Sequence, residues 1–125
     1  MDKILTIVLF LGLAYVLYIK FQANSNAISA ELLRSKLKTE SNIGVIDVRT
    51  TQEFNGPMGN IPGSLSIPLT DIGNKIDFIK SKNFDEVYVI CLSGSRSAFA
   101  VNTLNKNGVE AQNVQGGMGA WNSMK

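Results

Sequence analysis

The fold of this chain is decided by residues 87–97, which read Val87-Tyr88-Val89-Ile90-Cys91-Leu92-Ser93-Gly94-Ser95-Arg96-Ser97. The first four residues are apolar and favour a β-strand, and Cys91 follows them directly. Gly94 permits a tight turn, and a helical pattern then runs to Asn107. The stretch therefore predicts a buried strand, a compact loop and a helix, with the Cys91 thiol at the carboxyl end of the strand.

The predicted loop is suited to holding an ionised thiol. Successive backbone N–H groups from Leu92 to Ser97 can point into one concavity, and such a nest favours anions. The start of the following helix adds about half a positive charge, and Arg96 adds a permanent one. Cys91 is therefore a candidate nucleophile that needs no general base. The alternative is a small buried cysteine that only fills space at the strand end.

Composition restricts the chemistry further. The 125-residue chain contains one cysteine and no histidine, and its net charge is +2. An intramolecular disulfide is excluded, as are Ser-His and Cys-His catalytic pairs and histidine metal sites. The basic residues are scattered without interleaved aromatic residues, which argues against nucleic-acid binding. We expect no metal and no cofactor.

Strands and helices alternate on both sides of the Cys91 loop. This alternation predicts an α/β fold with a parallel sheet of about five strands and helices on both faces. Ligands of such folds bind beyond the carboxyl ends of the strands, where Cys91 and Asp47 lie. The predicted strands are residues 44–48, 66–67, 87–90 and 111–114; the predicted helices are residues 29–38, 70–79, 95–107 and 118–124, with a short one capped by Thr50.

The N-terminal segment is strongly apolar. Residues 4–19 contain no polar side chain apart from Thr6 and the two tyrosines, and Lys3 and Lys20 bracket them. As a helix the segment would be roughly 24 Å long, against ~30 Å for the hydrocarbon core of a bilayer. The snorkelling stems of the two lysines can supply the missing length. The segment therefore predicts a single transmembrane helix in contact with membrane lipid.

The predicted domain organisation follows from that segment. We expect a transmembrane anchor over 1–21, a linker over 22–28 and one domain over 29–125. A cleaved signal peptide is the alternative, because Ser25-Asn26-Ala27 offers the small residues that a signal peptidase requires. The predicted location is a bacterial inner membrane. A margin of one or two charges favours a cytoplasmic domain, and the periplasmic side stays open.

Three blocks of the sequence resemble the signatures of rhodanese domains. Cys91-x-x-Gly94-x-Arg96-Ser97 is similar to the family's active-site loop. The resemblance covers nearly everything after the linker and implies the rhodanese fold. One departure is Asn60, which stands where the family usually has histidine. The other two blocks are Val45-Ile46-Asp47-Val48-Arg49 with Glu53-Phe54 and residues 59–68, and residues 114–121, where a Gly-Gly turn leads into a helix with Trp121.

The resemblance implies a two-step sulfur transfer. The Cys91 thiolate takes the outer sulfur of thiosulfate or of a low-molecular-weight persulfide, and cyanide or a thiol then removes it from the Cys91 persulfide. Asp47 and Arg49 are expected to brace the loop, and an ordinary salt bridge is the alternative for that pair. Arg96 is expected to orient an anionic donor. The residues expected to cradle the sulfur are Leu92, Ser93, Gly94, Ser95, Arg96 and Ser97.

Three other functions stay open at this point. The related phosphatases have a loop one residue longer than the four residues between Cys91 and Arg96, so the shorter loop favours sulfur over phosphate. A rhodanese-type module that only binds a partner commonly lacks the cysteine that this chain retains. A persulfide carrier that delivers sulfur to a protein acceptor at a membrane would use the same Cys91 chemistry.

Overall fold

The computed structural model describes residues 2–25 and 27–124, and residues 27–124 form a five-stranded sheet with helices on both faces. The strands are β1 (Ala27–Ser29), β2 (Ile43–Asp47), β3 (Leu65–Ser66), β4 (Glu86–Ile90) and β5 (Gln112–Gln115). The helices are α1 (Asp2–Ser25), α2 (Ala30–Thr39), α3 (Thr51–Phe54), a 3-10 helix (Leu69–Lys75), α4 (Ile76–Ser81), α5 (Ser95–Lys106) and α6 (Gly117–Ser123).

The sheet places the ends of β2 and β4 side by side. Its strand order is β1-β5-β4-β2-β3, and every neighbouring pair is parallel. Asp47 pairs with Ile90 in register, and the Val48 N–H donates to the Ile90 carbonyl at 3.0 Å. Asp47 and Cys91 therefore lie at the same carboxyl edge. The predicted α/β fold with a parallel five-stranded sheet and helices on both faces is confirmed.

Two apolar clusters cover the two faces of the sheet. One packs Val89 of β4 against Leu104 of α5 and also includes Cys91. The other packs Leu33 of α2 with Trp121 of α6. Burial of apolar side chains on both faces explains why the central strands are continuous apolar runs rather than alternating ones.

Two helices begin at the capping residues that the sequence predicts. Ser29 caps α2, because its Oγ accepts the Leu32 N–H at 3.0 Å. Thr50 caps α3 as predicted. The segment predicted as one helix over 70–79 is instead a 3-10 helix followed by the short helix α4.

The first strand begins within the segment predicted to be a linker over 22–28 and ends at Ser29, the first residue of the predicted domain. Helix α1 continues to Ser25, and β1 begins at Ala27 and pairs with β5 at the edge of the sheet. Asn26, at the centre of the predicted signal-peptidase site, lies outside the described residues. The sheet therefore gains its fifth strand from residues that the polar composition assigned to a linker.

The prediction of a transmembrane helix is not supported. Within residues 2–25 and 27–124, no helix is both long enough and apolar enough to cross a bilayer. The apolar stretch at residues 4–19 is sixteen residues long and includes Thr6, and lysines flank it on both sides. The large apolar side chains of α1 from Ile4 to Tyr18 are exposed, with exposed fractions of 48–70%.

Candidate active site

Cys91 lies directly after β4, at the bottom of the loop that leads into α5. Its side chain is 0% exposed. The Gly94 N–H donates to Sγ at 3.0 Å, and the Ser97 hydroxyl lies 3.2 Å from Sγ. Gly94 has φ +115°, a left-handed conformation that glycine adopts without strain. This turn brings the start of α5 back over the sulfur.

The loop is held from below by the start of α6. The Met118 N–H donates to the Cys91 carbonyl at 2.8 Å, and the Gly119 N–H donates to the Leu92 carbonyl at 3.2 Å. Gly117 makes this contact possible, because a Cβ there would overlap both of those carbonyls. With its first two carbonyls bound to α6, the loop leaves the later N–H groups to face Sγ. The Gly116-Gly117 turn is thus a structural part of the site.

The surroundings of the thiol favour its ionised form. Burial by itself raises the pKa of Cys91. The Ser97 hydroxyl and the backbone N–H groups of Ser97, Gly94 and Ser93 lower it, because they donate to the sulfur, and the net result is a pKa below the ordinary value. Of the predicted nest, the Gly94 N–H lies within hydrogen-bonding distance of the sulfur, and the cradle over Leu92 to Ser97 stays a prediction.

Arg96 forms an ion pair with Glu53 of α3. Nη1 lies 2.6 Å from Oε1 and Nη2 lies 2.9 Å from Oε2, so both ends of the guanidinium fork are bound. The two side chains are 33% and 32% exposed. The hydrogen bonds from Arg96 lower the pKa of Glu53 to about 2. The fork expected to face a donor is directed instead at a carboxylate of this chain.

Asp47 and Arg49 form a buried ion pair. Asp47 accepts from the Arg49 guanidinium at 2.8–3.2 Å, and both side chains are at most 1% exposed. Arg49 also donates to the carbonyls of Glu53 at 3.2 Å and Gly59 at 2.8 Å. The pair therefore braces the segment that carries Glu53, and Glu53 in turn contacts Arg96 of the Cys91 loop.

The position of the missing histidine is filled by an amide. The Asn60 Nδ2 donates to the Phe54 carbonyl at 3.0 Å. Thr50 and Glu53 form a reciprocal capping box at the start of α3. Asparagine therefore keeps the segment after α3 closed by a neutral hydrogen bond.

Two residues of the site, Glu53 and Asn113, are not among the site residues that the sequence predicts. Glu53 lies in the first signature and in the capping box, but nothing in the sequence indicated that it pairs with Arg96, 43 residues away. Asn113 of β5 accepts a short hydrogen bond from Ser97 at 2.5 Å. Of the predicted loop residues, Leu92, Ser93 and Ser95 are exposed at the rim, whereas Ser97 is buried beside Sγ.

Comparison with known proteins identifies the family. Residues 29–124 match the model of the Rhodanese-like domain. In Bacillus subtilis (strain 168), the candidate sulfurtransferase YtwF is 36% identical over 95 residues, covering 75% of this chain and 87% of YtwF. The candidate sulfur carrier protein YrkF is 34% identical over 95 residues, covering 75% of this chain, which spans about half (49%) of YrkF.

A solved structure agrees with these relatives. The crystal structure of a rhodanese-like domain protein from Staphylococcus aureus is 39% identical to this chain, with a TM-score of 0.65, and the match covers 77% of this chain and 90% of that one. The three blocks around Asp47, Cys91 and Trp121 thus occur in a chain that matches the family along its whole α/β domain. The chain belongs to the rhodanese-like domain family, a family of sulfurtransferases and sulfur carriers.

Proposed function

We propose that this chain transfers a sulfane sulfur through a persulfide on Cys91. The observation that carries the proposal is the Cys91 sulfur itself, which accepts the Gly94 N–H and lies beside the Ser97 hydroxyl at the end of β4. These donors stabilise a thiolate before any substrate arrives. The same donors can stabilise the terminal sulfur of a persulfide, which also carries negative charge.

The proposed reaction has two displacement steps. In the first, the Cys91 thiolate attacks the outer sulfur of thiosulfate; the new S–S bond forms as the old one breaks, and sulfite leaves with the electron pair. In the second, cyanide or a thiolate attacks the outer sulfur of the persulfide, and the Cys91 thiolate leaves. A low-molecular-weight persulfide can replace thiosulfate, with a thiolate as the leaving group. No group in this sequence has to act as a general base.

The Arg96–Glu53 ion pair bears on the choice of donor. Because Glu53 binds both ends of the guanidinium, Arg96 offers an incoming anion less net charge than a free arginine would. Binding of a dianion such as thiosulfate then relies mainly on the loop N–H groups. A low-molecular-weight persulfide, which lacks the second negative charge that thiosulfate carries on its sulfonate oxygens, fits this loop at least as well.

The proposal is tested with the full chain and the Cys91→Ser variant. The wild type should release thiocyanate from thiosulfate and cyanide, or sulfide from a persulfide donor and a thiol. Cys91→Ser should abolish both reactions while circular dichroism shows an unchanged fold. Retained transfer by the variant would contradict the mechanism, because the chain has no second thiol.

A sulfur carrier is the second candidate, and the similarity to YrkF favours it. A carrier would accept sulfur on Cys91 and deliver it to a protein acceptor rather than to a small thiol. Slow turnover with every small acceptor, together with stoichiometric loading of Cys91, would distinguish it from an enzyme. Hydrolysis of a phosphate ester that is lost in Cys91→Ser would instead favour the phosphatase alternative, and a Cys91 that neither takes up nor transfers sulfur would favour a binding module.

We also propose that α1 attaches the domain to a membrane. The support is the exposure of its large apolar side chains, which water solvates unfavourably. The full chain should float with phospholipid vesicles, and a variant with Leu9→Lys and Leu13→Lys should float less. Equal recovery of both proteins in the vesicle-free fraction would refute the attachment. The bacterial inner membrane stays a prediction, as does the cytoplasmic side that a margin of one or two charges favours over the periplasmic side.

A further inference from the structure

The Ser97 hydroxyl connects Cys91 to Asn113. Ser97 Oγ lies 3.2 Å from Cys91 Sγ and 2.5 Å from Asn113 Oδ1, and it also lies 3.1 Å from the Gly94 carbonyl. Asn113 belongs to β5, where it pairs with Val89 of β4. The neighbouring strand therefore directs an amide at the hydroxyl that touches the proposed nucleophile.

The number of protons limits what Ser97 can do. Its hydroxyl carries one hydrogen, so it donates to one acceptor at a time. When Cys91 is a neutral thiol, its S–H can donate to Ser97 Oγ. The Ser97 hydroxyl then donates to Asn113 Oδ1, which lies 2.5 Å away. When Cys91 is a thiolate, the sulfur can only accept. The Ser97 hydrogen must then turn toward Sγ, and Asn113 loses its donor.

An amide is able to satisfy Ser97 in both states. Rotation of the Asn113 side chain about Cβ–Cγ exchanges Oδ1 and Nδ2, so the group next to Ser97 changes from an acceptor to a donor. Nδ2 lies on the side of Gly94, where a Cβ would already be 3.8 Å away. Because Oδ1 and Nδ2 are of similar size, the exchange does not change the shape of the side chain.

We propose that Asn113 is a positioning residue that accepts from Ser97 when Cys91 is a thiol and donates to Ser97 when Cys91 is a thiolate. In the second state its donation completes a chain from Nδ2 through the Ser97 hydroxyl to Sγ. This stabilises the form of Cys91 that attacks the donor. The inference deepens the proposed function, because it assigns a residue outside the Cys91 loop to the control of that nucleophile.

The other charged groups around the loop are already paired. Arg96 of α5 is bound to Glu53 of α3, and Asp47 is bound to Arg49 at the end of β2. Neither β5 nor α6 carries a charged residue. A carboxylate introduced at position 113 would therefore have no charged neighbour on β5 to offset its effect on the Cys91 thiolate.

The test compares Asn113→Asp with Asn113→Ala in the full chain. An ionised aspartate keeps the size and the acceptor but cannot donate, so it can serve the thiol and not the thiolate. The pKa of Cys91, measured from the pH dependence of alkylation by iodoacetamide, should rise by about one unit in Asn113→Asp, which is about a tenfold slower alkylation near neutral pH. Asn113→Ala should shift it in the same direction by less.

A charge-matched control is available in Asn107→Asp. Asn107 follows the far end of α5, about 18 Å from its first residue at 1.5 Å per residue, and it is exposed. This variant should leave the pKa of Cys91 unchanged. An unchanged pKa in both Asn113→Asp and Asn113→Ala would overturn the proposal, whether or not either variant loses stability.

A double variant separates the hydrogen-bond chain from the bare charge. In a Ser97→Ala background, the shift caused by Asn113→Asp should largely disappear, because the connecting hydroxyl is gone. A full shift in that background would show direct repulsion between the aspartate and the thiolate, and would overturn the role of Ser97 as the link. Alkylation does not depend on sulfur transfer, so failure of the proposed function would leave this result readable.

Discussion

The site contains two arginine–carboxylate pairs that do different work. Arg49–Asp47 is buried, and Arg49 also holds two backbone carbonyls of the segment after α3. Arg96–Glu53 is about one-third exposed and joins α5 to α3 by side chains alone. A buried pair cannot lose one partner without stranding a charge, whereas a partly exposed pair can. We therefore expect the Arg49–Asp47 pair to stabilise the fold, and the Arg96–Glu53 pair to position the Cys91 loop.

The Arg96–Glu53 pair depends on the Arg49–Asp47 pair, but the reverse does not hold. Arg49 fixes the Glu53 carbonyl, and the Glu53 side chain then reaches Arg96. Loss of the buried pair should displace Glu53 and release Arg96. Loss of Arg96 should leave the Asp47 contacts in place.

The largest effect is expected from Arg49→Met. The substitution leaves the Asp47 carboxylate buried without its partner, so the free energy of unfolding should fall by about 3–5 kcal/mol. Denaturant unfolding followed by circular dichroism measures this change. A loss below about 1 kcal/mol would show that the removal of Arg49 does not strand a buried charge, and that the pair has no structural role.

Arg96→Met should destabilise the fold less than Arg49→Met does. Its main effect should be on the rate of sulfur transfer. The partly exposed pair should contribute less than about 1 kcal/mol to the free energy of unfolding. Sulfur transfer should fall by roughly tenfold, because the Cys91 loop loses its tether to α3 and a nearby positive charge. If Arg96→Met destabilised the protein as much as Arg49→Met, the distinction between the two pairs would fail.

The smallest expected effect is a pH dependence of the free energy of unfolding that comes from Glu53. Its pKa is lowered from the ordinary value of 4.5 to about 2, mainly because Arg96 donates to it. The unfolded chain therefore takes up a proton at higher pH than the folded one. The stabilisation is fully present above the ordinary pKa and is lost as the pH falls through about 2.

Comparison with Glu53→Gln isolates that contribution. Near neutral pH the wild type should be the more stable protein in urea, and the difference should shrink as the pH falls below 4.5 toward about 2. The exposure of the pair keeps the effect small. A difference that stays constant over this range would mean that Glu53 is not held ionised by Arg96.

Sequence patterns predicted the parts of the site that are local in the chain. The strand, the turn at Gly94 and the start of α5 are consecutive, so residue type and order suffice to place Cys91. The caps at Ser29 and Thr50 are local as well. Local chemistry also predicted that the thiol would ionise readily, because its donors lie within six residues of it.

The parts that sequence patterns missed depend on distant contacts. Strand β1 has three residues and exists because β5 offers a partner edge. Asn113 reaches Ser97 only because β5 lies next to β4. For the N-terminal segment, composition indicated its apolar character, but no helix in the described ranges 2–25 and 27–124 is long and apolar enough to cross a bilayer.

The mass of the protein after treatment with a sulfur donor tests the proposed chemistry most directly. The full chain is incubated with thiosulfate, or with a low-molecular-weight persulfide, and its intact mass and its Cys91 peptide are measured. We expect one added sulfur atom on Cys91, removed by cyanide with release of thiocyanate. A Cys91 thiol that stays unmodified with both donors would contradict the persulfide mechanism.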